Sequence, residues 1–126
     1  MTETDPLPLK ELAPEDQLAL AALLRMLVRL DGRFTDAEQE ALQDLALSMG
    51  ERRFWGVMDD AAQRLPDDES IRQCALRVTD ADAREMIYVA LLRVAESDVI
   101  QPREAGLLDW LRQKWNIRDA PTAYRD

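Results

Sequence analysis

"LVRLDGRFTDAEQEAL", residues 27–42, joins two apolar runs through a short polar corner. The first run stops at Asp31-Gly32. Thr35 then stands three residues before Glu38. That is the spacing of a capping box, in which the Thr hydroxyl accepts the third helical N–H and the Glu carboxylate accepts the N-cap N–H. A second apolar run follows at helical spacing. The stretch predicts a helix, a tight corner and another helix. It leaves two readings of Asp31, Gly32 and Glu38: the hardware of the corner, with Gly32 and Thr35 purely structural, or a cation site.

The pattern extends in both directions. Upstream, Pro14 sits where a first helical residue belongs, followed by Glu15 and Asp16 in the favourable first turn. The first helix runs to about Leu30 and is apolar on nearly every side, the mark of a central helix surrounded by others. Residues 1–12 read as an irregular arm, because Pro6 and Pro8 oppose an early helix, although Leu7, Leu9 and Leu12 offer apolar surface to pack back. Downstream, the second helix continues from its Thr35 cap to Met49, with Gly50 as a left-handed C′ residue. "ERRFWGVMDDAAQRL" predicts a third helix ended by Pro66, and Asp68 to Val78 a short fourth. Thr79 with Asp82 repeats the capping-box spacing and opens a fifth helix to about Glu96. Gln101-Pro102 starts the sixth, and Asn116 lies at its C′ position. No segment alternates as a strand would. The expectation is an all-α, compact bundle of about six helices, occupying residues 13–117 as one domain, with a flexible tail over 118–126.

The first and last thirds resemble each other. At a constant offset of 66 residues, Glu38 matches Glu104, Leu42 matches Leu108, Leu45 matches Leu111, Met49 matches Trp115 and Gly50 matches Asn116. Each half is an apolar helix, a corner and an amphipathic helix, a loose internal repeat. On each amphipathic helix the glutamate begins the stripe that faces inward. A carboxylate on a core face needs a partner. For Glu38 that partner is either the Thr35 N–H or a cation shared with Asp31. Asp31 closes a helix C-terminus, where a negative charge is unfavourable by about 0.3–1 kcal/mol. Backbone donors of the corner would offset this, and so would a divalent cation, since hard cations prefer oxygen ligands. The stretch "DGRFTDAEQEAL" lacks the Asp-rich alternation and the terminal Glu of an EF-hand loop.

Composition narrows the function classes. The chain carries 25 acidic and 16 basic residues, net charge −9, with no basic cluster. Binding to nucleic acid requires cationic surface to displace phosphate counterions, so nucleic acid is not an expected partner; a basic protein face or a metal cation suits the field better. There is no histidine, which removes the commonest general base and metal ligand. The single cysteine, Cys74, rules out a disulfide within the chain and reads as a buried thiol. The N-terminus "MTETDPLPLKEL" has no basic n-region, and the apolar run from Leu18 to Leu30 is shorter than the roughly 20 residues of a span and holds Arg25 and Arg29. A cytoplasmic protein without direct membrane insertion is the expectation. With no Gly-rich phosphate loop, activated nucleophile or cofactor fingerprint, the chain is not expected to be an enzyme.

Taken with the all-helical pattern, "LDGRFTDAE" and, about 66 residues later, "ESDVIQPRE" resemble the TerB-like (tellurite resistance protein B) family over roughly residues 15–117. That family carries Ala-Asp-Gly, a short turn and then Glu, often twice. The resemblance implies an all-α domain with an acidic cluster proposed to hold metal ions, membership of tellurite and general stress responses, and use as a docking unit beside chaperone-type and membrane-associated modules. Asp31, Gly32 and Glu38 match the first motif. Ile100, Pro102 and Glu104 match the second, but Ser97 and Asp98 stand at its Asp and Gly positions. A hydroxyl is a poor ligand for a hard cation, so Asp98 or Glu96 would have to take over.

The expected function is a non-catalytic domain binding calcium, magnesium or manganese at Asp31, Glu38 and Glu104, with Asp98 and Glu96 as helpers. The alternative is a metal-free docking module with structural corners, in which Trp55 or Trp110 anchors a protein partner. Self-association into a homo-oligomer through the exposed helix surface is a third, narrower option. The acidic run "PDDES", 66–70, reads as a solvated loop with helix-start charge.

Overall fold

The computed structural model describes residues 8–32 and 34–117, and for Asp31 the backbone alone. The predicted tail and Leu7 of the arm lie outside the described residues. Those residues form six α-helices and one 3-10 turn, with no strand among them: α1 Pro14–Asp31, α2 Asp36–Met49, α3 Glu51–Arg64, α4 Asp68–Leu76, α5 Ala81–Glu96 and α6 Pro102–Lys114, preceded by the turn Leu9–Glu11. The all-α bundle is as expected.

Local chemistry accounts for the helix ends. Pro14 at the start of α1 has no N–H to leave unpaired. Gly32 ends α1 at φ 82°, ψ −9°, a left-handed conformation that a Cβ disfavours, and its N–H donates to Arg29 O at 3.1 Å. Gly50 also takes positive φ, 105°, but with ψ 118° it is not left-handed helical. It closes α2 through its N–H to Ala46 O and opens α3 directly, so the two helices meet in a single-residue corner. Asn116 adopts φ 57° after α6, as its C′ position predicts.

Two boundaries differ from expectation. The fourth helix stops at Leu76, two residues early. The cap of α5 is Asp80, whose Oδ2 accepts the Ala83 N–H at 2.8 Å, rather than Thr79. Asp is at least as good a cap as Thr, and the shift of one residue moves the capped donor from the Asp82 N–H to the Ala83 N–H.

The apolar helix α1 lies at the centre, packed against α3, α4, α5 and α6. Residues Leu18–Leu24 with Met26 and Leu27 are buried around its whole circumference, each large side chain contributing about 1.5–3 kcal/mol of transfer free energy. The repeat is interlocked: α2 packs on α5, and α6 packs on α1 as well as α5. The first helix of each half, α1 and α5, thereby gains cover that a separate hairpin would not provide. Leu9 and Leu12 of the arm enter the core. Buried Gln17 ties them in, its Nε2 donating to Leu9 O at 3.3 Å while its Oε1 accepts from Arg53 at 3.5 Å. No described helix is long and apolar enough to cross a membrane.

Candidate functional site

The two corners are built by the two glutamates. Glu38 is 2% exposed and Glu104 is 1% exposed. At the first corner Glu38 Oε1 accepts the Thr35 N–H at 3.0 Å, and Thr35 Oγ1 accepts the Glu38 N–H at 3.1 Å, a complete capping box. At the second, Glu104 Oε1 accepts the Gln101 N–H at 2.9 Å. Below each glutamate the stripe is buried: Leu42, Leu45 and Met49 on α2; Leu108, Leu111 and Trp115 on α6. The arrangement closes each helix start with a side-chain acceptor for the N-cap N–H.

The other acidic candidates are placed differently. Asp98 is half-buried in the second corner, and its Oδ1 accepts the N–H of Val99 at 2.7 Å. Glu96 is exposed at the last position of α5. Asp31 ends α1 as its position in the motif predicts, but its side chain lies outside the described residues. Ser97, at the departed motif position, turns its hydroxyl back to Val94 O at 2.6 Å. Among the described residues no three His, Cys, Asp or Glu side chains come together as a group able to hold a metal ion. Of the five proposed ligands, then, two are buried at equivalent places, each bonded within its own corner.

The aromatic candidates also separate. Phe54 is buried, and Trp55 remains 44% exposed on α3, packed edge-to-face on Phe54 at 4.8 Å between ring centroids. Trp110 is half-buried beneath the Arg72 guanidinium, 5.5 Å from its ring centre, a cation–π contact between α6 and α4. Trp115 is fully packed, its indole N–H donating to Ala75 O at 3.0 Å.

Residues that reading the sequence did not single out complete the surface. Phe34, in the first corner, is 49% exposed. With Val28, Leu42 and Met58 it lines an open apolar dish of about 220 Å³ whose described charged residues are Arg25 and Arg29. The signal was an aromatic residue inside an otherwise polar corner. A second, broader cleft of about 540 Å³ separates α2, at Ala37, Ala41, Asp44 and Ser48, from Arg93 and Ser97 at the end of α5. Cys74 lines a smaller hollow with Arg64, Arg77 and Asp16. Burial pushes its thiol above the usual range against the opposing pull of Arg77 and Arg64, the reverse of what an activated nucleophile needs. Burial, then Asp80 and Glu15, also raises the Asp16 carboxyl.

No family model, curated protein or solved structure matches the chain.

Proposed function

We propose that this chain is a non-catalytic cytoplasmic docking module that binds a partner protein through its α3 side, with Glu38 and Glu104 serving as internal closures of its two corners. The observation that carries this reading is Trp55, a large aromatic side chain nearly half exposed yet held in place by its edge contact with buried Phe54. Pre-positioned tryptophans of this kind are enriched among the residues that dominate interface energies. Trp110 is the second choice, because Arg72 already covers one face of its ring. The likeness of both corner motifs to the TerB-like pattern makes a tellurite or general stress response the setting we propose for that docking.

The test is affinity capture from the native host. The same partner protein is expected with and without chelator, and Trp55→Ala is expected to abolish capture while changing stability by less than about 0.5 kcal/mol, as for an exposed substitution. Capture that disappears with chelator, or that persists in both Trp55→Ala and Trp110→Ala, counts against the reading.

A second reading, a divalent cation at the first corner, is favoured by one observation: both glutamates are buried more deeply than the exposed capping box at Asp67 and Ser70, which closes a helix without burial. A cation bound only by the folded state raises the melting temperature with concentration. On the docking reading, millimolar calcium, magnesium or manganese leaves the melting temperature unchanged. On the cation reading it rises, and Asp31→Asn removes the rise.

A further inference from the structure

We propose that the dish between α1, the first corner and α3 takes an acidic, amphipathic helix of the partner protein. The proposal rests on the docking reading and specifies where and by what chemistry docking occurs. Leu42 forms the buried floor, Val28 and Met58 are half-buried walls, and Phe34 is the exposed lip. At about 220 Å³ the dish is smaller than the roughly 300–1,000 Å³ of a small-molecule site. It suits one inserted side chain, such as Leu or Phe, from a helix laid across it. Met58 and Phe34 supply a deformable and an aromatic wall for that anchor. On α3, Trp55 lies three residues before Met58, on the same helical face, so it extends the apolar track beyond the dish.

Charge selects the partner. Among the described residues the charged side chains at the dish are both cations, Arg25 and Arg29, one turn apart on α1, in a chain of net charge −9. Arg25 makes no ion pair among the described residues. Arg29 pairs with Asp68 at 3.0 Å, but both side chains are half exposed, so that bond exchanges readily. A partner helix with Asp or Glu one turn from its apolar anchor places carboxylates against these guanidiniums, which bind such groups in a bidentate geometry. A basic helix meets repulsion here, although it would be attracted to most of the remaining surface.

The experiment is selection of random peptides on the immobilised full chain. Enriched peptides are then measured by fluorescence anisotropy against the wild type, Arg25→Glu and Phe34→Ala, with each variant's fold checked by circular dichroism. The expected consensus is an apolar residue with Asp or Glu three or four positions away. Binding should weaken about tenfold or more in Arg25→Glu and in Phe34→Ala. Replacing the acidic residues of the peptide by Lys should abolish binding to the wild type and restore it to Arg25→Glu. Phe34→Ala, at an exposed position, keeps the test decisive if Arg25→Glu does not fold. Peptides that are basic, or that bind all variants equally, overturn this inference but leave the docking reading standing. Recovery of this chain's own helical segments as the preferred binders makes the occupant a second copy and overturns it too. Failure to enrich any peptide counts against both.

Discussion

Glu38→Ala and Glu104→Ala are each expected to lower the stability of the fold by about 1–3 kcal/mol, and the double variant by the sum of the two. Each alanine removes an acceptor from a backbone N–H at a half-buried helix start, Thr35 in one case and Gln101 in the other. The stranded donor then bears its desolvation cost, and a cap is lost as well. Glu38→Gln separates hydrogen bonding from charge. The amide oxygen still accepts the Thr35 N–H, so most of the stability should be retained. A cation shared between the glutamates predicts a different pattern. Glutamine would then fall nearly as far as alanine, the two substitutions would couple, and the coupling would depend on added metal. Urea denaturation of the two single variants and the double variant, with and without calcium, decides between them. A departure from additivity larger than about 0.5 kcal/mol that chelation removes would overturn the structural role.

Trp115→Ala is expected to have the larger effect, a loss of about 3–5 kcal/mol, the usual range for deleting a buried tryptophan. For a chain of this size that corresponds to a fall in melting temperature on the order of 10–20 °C. Trp115 is 3% exposed and reaches from the end of α6 to α4, where its indole N–H meets Ala75 O at 3.0 Å. Trp115→Phe should cost far less, about 1 kcal/mol. The ring still fills most of the space, and Ala75 O keeps the Val78 N–H at 3.1 Å. The same seam carries the contact of Arg72 on α4 with Trp110 on α6. Losing Trp115 should therefore also loosen Trp110, visible when Trp55→Phe leaves Trp110 as the sole tryptophan: its emission should lie further to the red with Trp115→Ala than with Trp115→Phe. Equal emission maxima of those two folded proteins would show that the two contacts are independent.

The first corner shows what could be read in advance. The Thr35 and Glu38 pair lies three residues apart, within a single helical turn, so both hydrogen bonds are encoded by spacing alone. Pro14, Gly32 and Asn116 are legible for the same reason, since each states a φ preference or a missing donor at its own position. Burial of the stripes on α2 and α6 follows from periodicity, because one face of each helix repeats apolar residues every turn. The cap of α5 was misplaced by one residue because Thr79 and Asp80 both offer acceptors there, and spacing does not rank them.

The dish and the seam were not legible. Arg25, Phe34, Leu42 and Met58 come from α1, a corner, α2 and α3, and nothing in their spacing says that they share a surface. Likewise the sequence showed that Glu38 and Glu104 face inward, but not what each would meet there. From the sequence alone came the helices, their ends and their buried faces, because these depend on bonds and periodicities within a few residues. Which exposed side chains meet, and which charges stand together, was decided only by the packing of α1 against α3, α4, α5 and α6. Contacts between distant residues are set by the volumes and angles at which helices interlock, and those emerge only when the whole core is filled.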